Sequence, residues 1–355
     1  MMRLFNHKKQ RKRVVSGMKR VRFIAICLIA IVAIALLAGC NRAQEEEGLT
    51  IVRLSEVTRS VFYAPQYAAI ELGFFEDEGL TVDLITSDGA DRVMTALLTG
   101  AVDIGLSGPE AALYVYIQGR ADHAVVFAQI TQRDGSFLIA REPNPDFTWE
   151  DIRGSYVLGG RRGGMPYMAL EYVVKQEGMT PGEDVTLNTT IQFAAMVSAF
   201  LGGTGDFVTA FEPVASTLEL EGRGYVVASV GEASGAIPFT AYYALGSFIE
   251  SNPEVIQGFT NAVARGQEWV MQNPPELIAE VIQPFFPDAD PVIMASAIAR
   301  YKEIEAFASV PMITYESFDR MQRVMESAGE LSQRAPFDNL IDNSFAETAV
   351  AGLNN

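Results

Sequence analysis

The sequence predicts an α/β protein of two lobes, each built on a mostly parallel sheet. Segments typical of strands and of helices alternate from residue 49 to about residue 245, and this alternation indicates parallel βαβ units. One helix-to-strand turn, at residues 96–103, has an echo at 199–206 in which Leu, Gly and Asp keep their register. The echo indicates two lobes that share one plan. Unrelated turns of an ordinary α/β chain are the alternative.

The first half of the alternation begins with a strand at residues 49–54, a polar loop at 55–60 and a helix that Gly73 ends. Short runs of apolar residues predict further strands, and helices that end at glycines lie between them. The predicted strands cover about 80–85, 102–106, 124–129 and 137–140, and the predicted helices about 62–72, 90–99 and 109–118.

The same pattern starts again after Trp149. Strands are predicted at about 156–158, 184–188, 206–209, 225–230 and 241–245, and helices at about 165–177, 192–201 and 213–221. After that only helices follow. Asn252 is a residue typical of an N-cap, and Pro253 suits a first helical turn. These last helices cover a segment from 253 onward and about 275–283, 291–304 and 314–328.

This order of elements predicts where each lobe lies in the chain. The last predicted strand is followed only by helices, and these helices need an existing sheet to pack on. We therefore expect the chain to return to its first lobe. We expect crossings between lobes near residues 139–141 and 237–241. The expected divisions are a first lobe of 49–138 plus 240–330, a second lobe of 141–237 and a C-terminal tail of 331–355.

The first 39 residues predict a secretory signal peptide. Nine basic and no acidic residues precede an apolar run at 23–37, which is short for a membrane span of roughly 20 residues. Leu37-Ala-Gly-Cys40 resembles a lipobox, which implies a lipid on Cys40 and anchorage at the extracytoplasmic face of the cell membrane. Residues 40–48 then form a polar tether. An uncleaved anchor helix is the alternative.

Charge and cysteine content restrict the partners. The chain has 27 Lys and Arg against 44 Asp and Glu, so removing nine basic residues with the signal peptide leaves a net charge of −26. Such a surface repels phosphate backbones, and nucleic acid is not an expected partner. Cys27 and Cys40 are the two cysteines, so the mature chain has no internal disulfide. We expect no metal and no cofactor, and we expect a monomer.

Three segments resemble a known family. Residues 67–82 read YAAIELGFFEDEGLTV, residues 98–105 read LTGAVDIG, and residues 151–158 read DIRGSYVL. They resemble the nitrate, sulfonate and thiamine-precursor binding proteins, often called SsuA/THI5-like, over about residues 49–330. The resemblance implies a periplasmic-binding-protein-like fold, a small-molecule ligand in the cleft between two lobes, and ABC-importer permease subunits as partners.

Ligands of open α/β sheets bind beyond the carboxyl ends of strands. Five loops of this kind lie at residues 58–63, 107–110, 129–133, 159–167 and 210–213. The loop GGRRGGMPY at 159–167 is the most informative, because its glycines permit close approach and a helix N-terminus follows. Arg161 or Arg162 could bind an anion there. A solvated surface loop is the alternative.

The candidate ligand-binding residues come from these loops. Aromatic rings near them could stack on a planar ligand, although each could equally belong to the core. Glu212 is a candidate acceptor for a ligand amine or an ordinary acid at a helix N-terminus. His123, beside Asp122, is expected to be a turn residue. The candidates are Thr58, Arg59, Phe62, Tyr63, Ser107, Gln129, Arg161, Arg162, Gly163, Gly164, Tyr167, Phe211 and Glu212, with Phe239 and Tyr242 as further flanking aromatics.

The favoured function is therefore a lipid-anchored solute-binding component of an ABC importer. Its ligand is expected to be anionic, planar and heterocyclic, or both, such as a sulfonate, a pyrimidine precursor or a flavin-like compound. Two alternatives differ in class. Pyrimidine synthases of the THI5 type are enzymes that the resemblance associates with histidine, cysteine and iron, whereas the mature chain holds one histidine and no free cysteine. The other alternative is a sensing or scaffolding lipoprotein.

Overall fold

Two five-stranded sheets form the framework of the computed structural model, which describes residues 48–353 except Gln192 and, for Phe193 and Ala194, only the backbone. The strand order is β2-β1-β3-β10-β4 in the first sheet and β7-β6-β8-β5-β9 in the second. The strands are β1 Thr50–Glu56, β2 Leu80–Thr86, β3 Ile104–Ser107, β4 Ala124–Thr131, β5 Ser136–Ala140, β6 Tyr156–Leu158, β7 Thr186–Asn188, β8 Phe207–Phe211, β9 Tyr225–Ser229 and β10 Thr240–Leu245.

The two sheets have matching topologies. In the first, β1 pairs in parallel with β2 and β3, and β10 is antiparallel to β3 and β4. In the second, β6 pairs in parallel with β7 and β8, and β5 is antiparallel to β8 and β9. Each sheet thus receives its one antiparallel strand from a crossing of the chain. The expected α/β class and two-lobed plan are confirmed.

The sequence echo corresponds to one repeated structural device. The Arg53 N–H donates to Asp103 Oδ2 at 2.9 Å, and the Asp103 N–H donates back to the Arg53 carbonyl at 2.9 Å. Tyr156 and Asp206 make the same pair of hydrogen bonds, each at 2.7 Å. In both sheets the aspartate therefore fixes the strand that leaves the turn, β3 or β8, against its parallel neighbour, β1 or β6.

Helices cover both sheets. The longest helix, Pro253–Gln272, packs tightly against the helix Ala64–Glu71. A Cβ at Gly266 would lie 2.3 Å from the Pro65 carbonyl oxygen, so this close approach requires glycine. Asn252 is the N-cap residue of the longest helix, as expected, but its side chain makes no capping hydrogen bond and its amide donates to the Phe248 carbonyl at 3.0 Å. The helices are α1 Ala64–Glu71, α2 Phe74–Asp77, α3 Ala90–Leu98, α4 Glu110–Ile117, α5 Met165–Gln176, α6 Phe193–Leu201, α7 Val214–Leu220, α8 Val230–Ser234, α9 Gly246–Ser251, α10 Pro253–Gln272, α11 Pro275–Ile282, α12 Pro291–Glu303, α13 Tyr315–Ser327, α14 Phe337–Leu340 and α15 Ser344–Leu353, with short 3₁₀ turns at Val61–Tyr63, Trp149–Ile152 and Gln283–Phe285.

The segment expected as a C-terminal tail carries two short helices. Its helices α14 and α15 pack on β4, and α15 also packs on α10. Leu340, Ala346 and Ala349 are buried, and the Asp342 N–H donates to the Val126 carbonyl at 2.9 Å. Burial of these apolar side chains attaches the end of the chain to the first sheet.

Two crossings connect the sheets and run side by side. The Ile237 N–H donates to the Gln132 carbonyl at 3.0 Å, and the Phe239 N–H donates to the Thr131 carbonyl at 3.1 Å. Because β5 already belongs to the second sheet, the first crossing lies at residues 132–135, earlier than the expected 139–141. We propose these crossings as the boundaries between the first lobe, around β1–β4 and β10, and the second lobe, around β5–β9.

Residues from Thr50 onward form one compact unit, separate from the segment Met1–Leu49. The signal peptide, the tether up to residue 47 and Cys40 lie outside the described residues.

Candidate ligand-binding site

Aromatic side chains from both lobes meet at the carboxyl ends of the strands. Phe62 is central, with its ring centroid 5.9 Å from that of Tyr63, 5.9 Å from that of Phe211, 5.8 Å from that of Phe239 and 4.7 Å from that of Tyr301. We call these five residues the aromatic cluster. The structure thus brings together three aromatic candidates, Phe62, Tyr63 and Phe211, with the flanking aromatic Phe239. It adds Tyr301 from α12, a residue that the sequence did not indicate.

The crossing between β4 and β5 lies directly against this cluster. A Cβ at Gly135 would lie 2.7 Å from Phe62 Cζ, so only glycine fits beside the ring without a shift. Asp134 precedes it and is fully buried. Its Oδ1 accepts from the Ser136 N–H at 2.6 Å, whereas Oδ2 has no hydrogen-bond partner among the described residues. Burial raises the pKa of Asp134 to about 7.

Buried hydroxyl groups lie along the end of the first sheet. Ser107 Oγ and Tyr243 Oη are 2.6 Å apart, and the Tyr63 hydroxyl hydrogen-bonds to the Thr240 side chain. Burial raises the pKa of Tyr63 and of Tyr243 well above the usual range, so both hydroxyls stay protonated. Ser107 was expected here, but Tyr243 was not. Its neighbour Tyr242, expected instead, lies on the opposite face of β10 and donates to Gln66 Oε1 at 3.0 Å.

Glu110 completes this polar surface. It is the first residue of α4 and is 6 % exposed. Its carboxyl group hydrogen-bonds to its own backbone N–H and to that of Met165, the first residue of α5 in the second lobe. Oε2 has no hydrogen-bond partner among the residues described. Burial, the largest effect, raises the pKa of Glu110 to about 7. The two lobes therefore meet at a buried acid.

Arg59 is held by a second buried acid. Its Nε lies 2.8 Å from Glu56 Oε1, and its guanidinium lies 5.3 Å from the Tyr67 ring centroid. Glu56 also accepts from the Tyr67 hydroxyl at 2.8 Å and from the Thr86 hydroxyl at 2.8 Å. The positive charge of Arg59 is thus already matched by a carboxylate. Thr58, beside it, is exposed.

The loop at 159–167 places its arginines outward. Arg161 and Arg162 are both exposed, and Arg162 hydrogen-bonds to the Tyr167 hydroxyl. Tyr167 is buried, and desolvation raises its pKa to about 12. The loop itself lies against the first lobe, since the Tyr114 hydroxyl donates to the Gly163 carbonyl at 3.4 Å. Gly164 is the N-cap of α5, as the sequence pattern suggested.

Two other candidates are engaged with the C-terminal helices. Gln129 Nε2 donates to the Met312 carbonyl at 2.6 Å. Glu212 is buried, lies 2.7 Å from Arg300 Nη1, and accepts from the Ser216 N–H at 2.9 Å. These contacts give Gln129 and Glu212 structural partners within the chain.

His123 also has structural partners. Its Nε2 lies 3.0 Å from the Asn339 carbonyl oxygen, and its ring centroid is 4.9 Å from that of Tyr116. It lies in the turn before β4, where the sequence placed it.

The family of the chain follows from comparison with known proteins. A family model described as "NMT1/THI5 like" matches residues 61–277, more than half of the chain. The chain belongs to the NMT1/THI5-like family. A relative in Bacillus subtilis (strain 168), the "Putative binding protein YtlA", is 40 % identical over 325 residues, which are 92 % of this chain and 96 % of that protein.

Solved structures share the fold. A ligand-binding component of an ABC-type import system from Staphylococcus aureus has a TM-score of 0.67 at 14 % identity, over 84 % of this chain and 99 % of that chain. The alkanesulfonate-binding protein SsuA from Xanthomonas axonopodis pv. citri, bound to MOPS, has a TM-score of 0.66 at 15 % identity, over 83 % of this chain and 98 % of that chain. The NMT1/THI5-like chain thus shares the fold of these binding proteins.

Proposed function

We propose that the mature NMT1/THI5-like protein is the lipid-anchored, extracytoplasmic receptor of an ABC importer and has no catalytic activity. The meeting of the aromatic cluster and the buried hydroxyls at the junction of the lobes carries this proposal. A ligand at that junction contacts both lobes, so its binding energy favours the closed arrangement. Closure would then present the loaded protein to the permease subunits.

Ligand capture is tested on the chain from Thr50 onward, which is a compact unit. The protein is purified without denaturation, and the small molecules that it releases on denaturation are identified by mass spectrometry. A ligand at 100 times its Kd should stabilise the folded protein by about 2.7 kcal/mol and raise the Tm. If no small molecule is released and none raises the Tm, the chain is instead a sensing or scaffolding lipoprotein.

The anchor is tested separately through Cys40. Cys40→Ser should abolish lipidation, so that the protein stays unprocessed or is released from the membrane. The measurement is mass spectrometry of the membrane and soluble fractions from cells that express each form. A diacylglycerol group on the Cys40→Ser protein would contradict the lipobox prediction.

The anion clamp expected at the loop of residues 159–167 stays a prediction. If a ligand buries one of the two arginines, Arg161→Ala or Arg162→Ala should weaken binding by about 30-fold to several-thousand-fold, because truncating a buried charged partner costs roughly 2–5 kcal/mol. Side chains that stay as exposed as they are here contribute only about 0–1 kcal/mol. Calorimetric titration with the released ligand distinguishes these outcomes. Changes in Kd below about twofold in both variants would contradict the anion-clamp prediction.

A further inference from the structure

Glu110 is a buried acid at the junction of the lobes, and one of its carboxyl oxygens has no hydrogen-bond partner among the described residues. We propose that it is a ligand-recognition residue and that it selects solutes presenting an N–H donor, such as an amine, an amidinium or the ring N–H of a planar heterocycle. This inference rests on the proposed function, because it names the class of ligand for the same site.

The hydrogen-bonding position of Glu110 carries the first step. Its Oε2 is buried and unpartnered among the described residues, and a Cβ at Gly108 would lie 2.0 Å from that oxygen, so the loop before α4 encloses it closely. Buried polar groups in proteins normally have partners, since an unmade hydrogen bond leaves the cost of desolvation uncompensated. A donor on a solute held between the lobes would provide the partner.

The electrostatic surroundings favour a donor over an anion. No Lys, Arg or His side chain forms an ion pair with Glu110 within the described part of the chain. Arg59 and Arg300 are paired with other acids, Arg59 with Glu56 and Arg300 with Glu212. The first N–H of α5, a group that would attract an anion, already hydrogen-bonds to the Glu110 carboxyl. An anionic ligand would therefore meet a like charge.

The shape of the ligand follows from the groups near Glu110. The Tyr63 hydroxyl hydrogen-bonds to the Thr240 side chain, and the charge of Glu110 contributes to the raised pKa of Tyr63. The Tyr63 ring packs on Phe62 in the aromatic cluster. A flat ligand whose edge meets Glu110 would have its faces beside aromatic rings. Ring stacking and one charge-assisted hydrogen bond are together a common basis for recognising a planar N–H compound.

Binding should depend on pH in a way that identifies Glu110. The groups that face its carboxyl are Tyr63, Tyr114, Tyr243 and the Met165 N–H, and burial raises the pKa of all three tyrosines well above neutrality. Glu110, whose pKa is about 7, is therefore the group in this set that titrates near neutrality. The carboxylate accepts a donor better than the acid does, so affinity should rise as the pH increases through 7 and then level off.

The experiment uses two matched pairs of planar probes with the chain from Thr50 onward. Benzamidine and benzenesulfonate differ in whether they present N–H donors or an anion, and cytosine and nicotinate, which has no N–H at neutral pH, differ in the same sense. The Tm and the calorimetric Kd are measured from pH 6 to pH 8. The variants are Glu110→Gln and, as a control that removes the same charge at the surface, Glu316→Gln, whose side chain is 78 % exposed.

The inference predicts that benzamidine or cytosine raises the Tm of the parent protein and that the anionic partner of each pair does not. Glu110→Gln should weaken binding of the donor probe at least tenfold and abolish its pH dependence, while Glu316→Gln keeps the parent affinity. Tighter binding of the anionic probes, no binding of either donor probe, or less than a twofold loss in Glu110→Gln would each overturn it. A released natural ligand that is an anion would overturn it as well, yet would leave the receptor function intact.

Discussion

Burial of Glu110 makes the stability of the ligand-free protein depend on pH. Its pKa is about 7 in the folded protein against an ordinary value of 4.5, because burial disfavours the charged form. Between about pH 4.5 and pH 7 the folded state therefore keeps a proton that the unfolded chain has lost. The contribution of Glu110 to the free energy of unfolding is therefore highest below pH 4.5, falls as the pH rises, and levels off above pH 7.

The magnitude follows from the size of the shift. One pKa unit corresponds to about 1.4 kcal/mol, so the difference costs the folded protein up to about 3 kcal/mol at pH 8. Glu110→Gln cannot ionise and avoids this cost. The variant should match the parent near pH 4.5 and exceed its free energy of unfolding by up to about 3 kcal/mol at pH 8.

Urea unfolding of the ligand-free chain, at intervals from pH 4.5 to pH 8, measures this difference. Asp134→Asn is the matched comparison, since burial also raises the pKa of Asp134 to about 7 and its stability contribution has the same sign. Each variant should remove part of the decline seen in the parent. If the unfolding free energy of Glu110→Gln declines with pH as steeply as that of the parent, the buried-acid reasoning fails.

Three further substitutions test contacts that hold the lobes in shape. Arg59→Ala should lower the free energy of unfolding by about 1–3 kcal/mol, because the carboxylate of Glu56 loses its cation. The loss is smaller than for a fully buried pair since Arg59 is partly exposed. Urea unfolding measures it, and a loss below about 0.5 kcal/mol would contradict this reasoning. Gly135→Ala should cost about 1–3 kcal/mol by pressing on Phe62, and an unchanged Tm would show that the ring moves freely. Lys302→Met removes an ammonium group that donates to three backbone carbonyls at the end of α10. The free energy of unfolding, measured in urea, should fall by about 1–2 kcal/mol. An unchanged free energy of unfolding would refute this capping role.

Local sequence patterns predicted the fold well because the signals that set it are local. Glycines ended helices, and the aspartates at 103 and 206 marked one turn in two places. The structure shows each carboxylate accepting from the backbone of the neighbouring parallel strand, β1 or β6. The local patterns failed where tertiary contacts determine whether a segment is ordered. Helices α14 and α15 are short and carry little periodic signal, and they are ordered by burial against the first sheet. The pattern correctly placed Asn252 at the N-cap of α10, but it did not show that the side-chain amide would donate to the Phe248 carbonyl.

The site was harder to predict because its residues come from distant parts of the chain. Loop position indicated Phe62, Ser107 and Phe211, and the structure places them near the junction, where they stay candidates for ligand binding. Tyr301 reaches the cluster from α12, for which no loop rule applies. Strand alternation contained the information to prefer Tyr243 over Tyr242, but only once it was known which face of β10 carries the contact with Ser107. Glu110 lay within a predicted loop and looked like an ordinary acid in a first helical turn.

Comparison of the two lobes separates an acid with a structural role from one with a role in binding. Each lobe places a buried glutamate at the corner where its central parallel strand, β3 or β8, turns into a helix beside a proline. In the second lobe Glu212 is matched by Arg300 at 2.7 Å and by the Ser216 N–H and hydroxyl at 2.9 and 3.0 Å. In the first lobe Glu110 has two backbone N–H groups and no cation within the described residues. Since one fold plan can satisfy a glutamate at this corner, the unsatisfied oxygen of Glu110 is not a consequence of the plan, and a bound solute is the partner that would complete it.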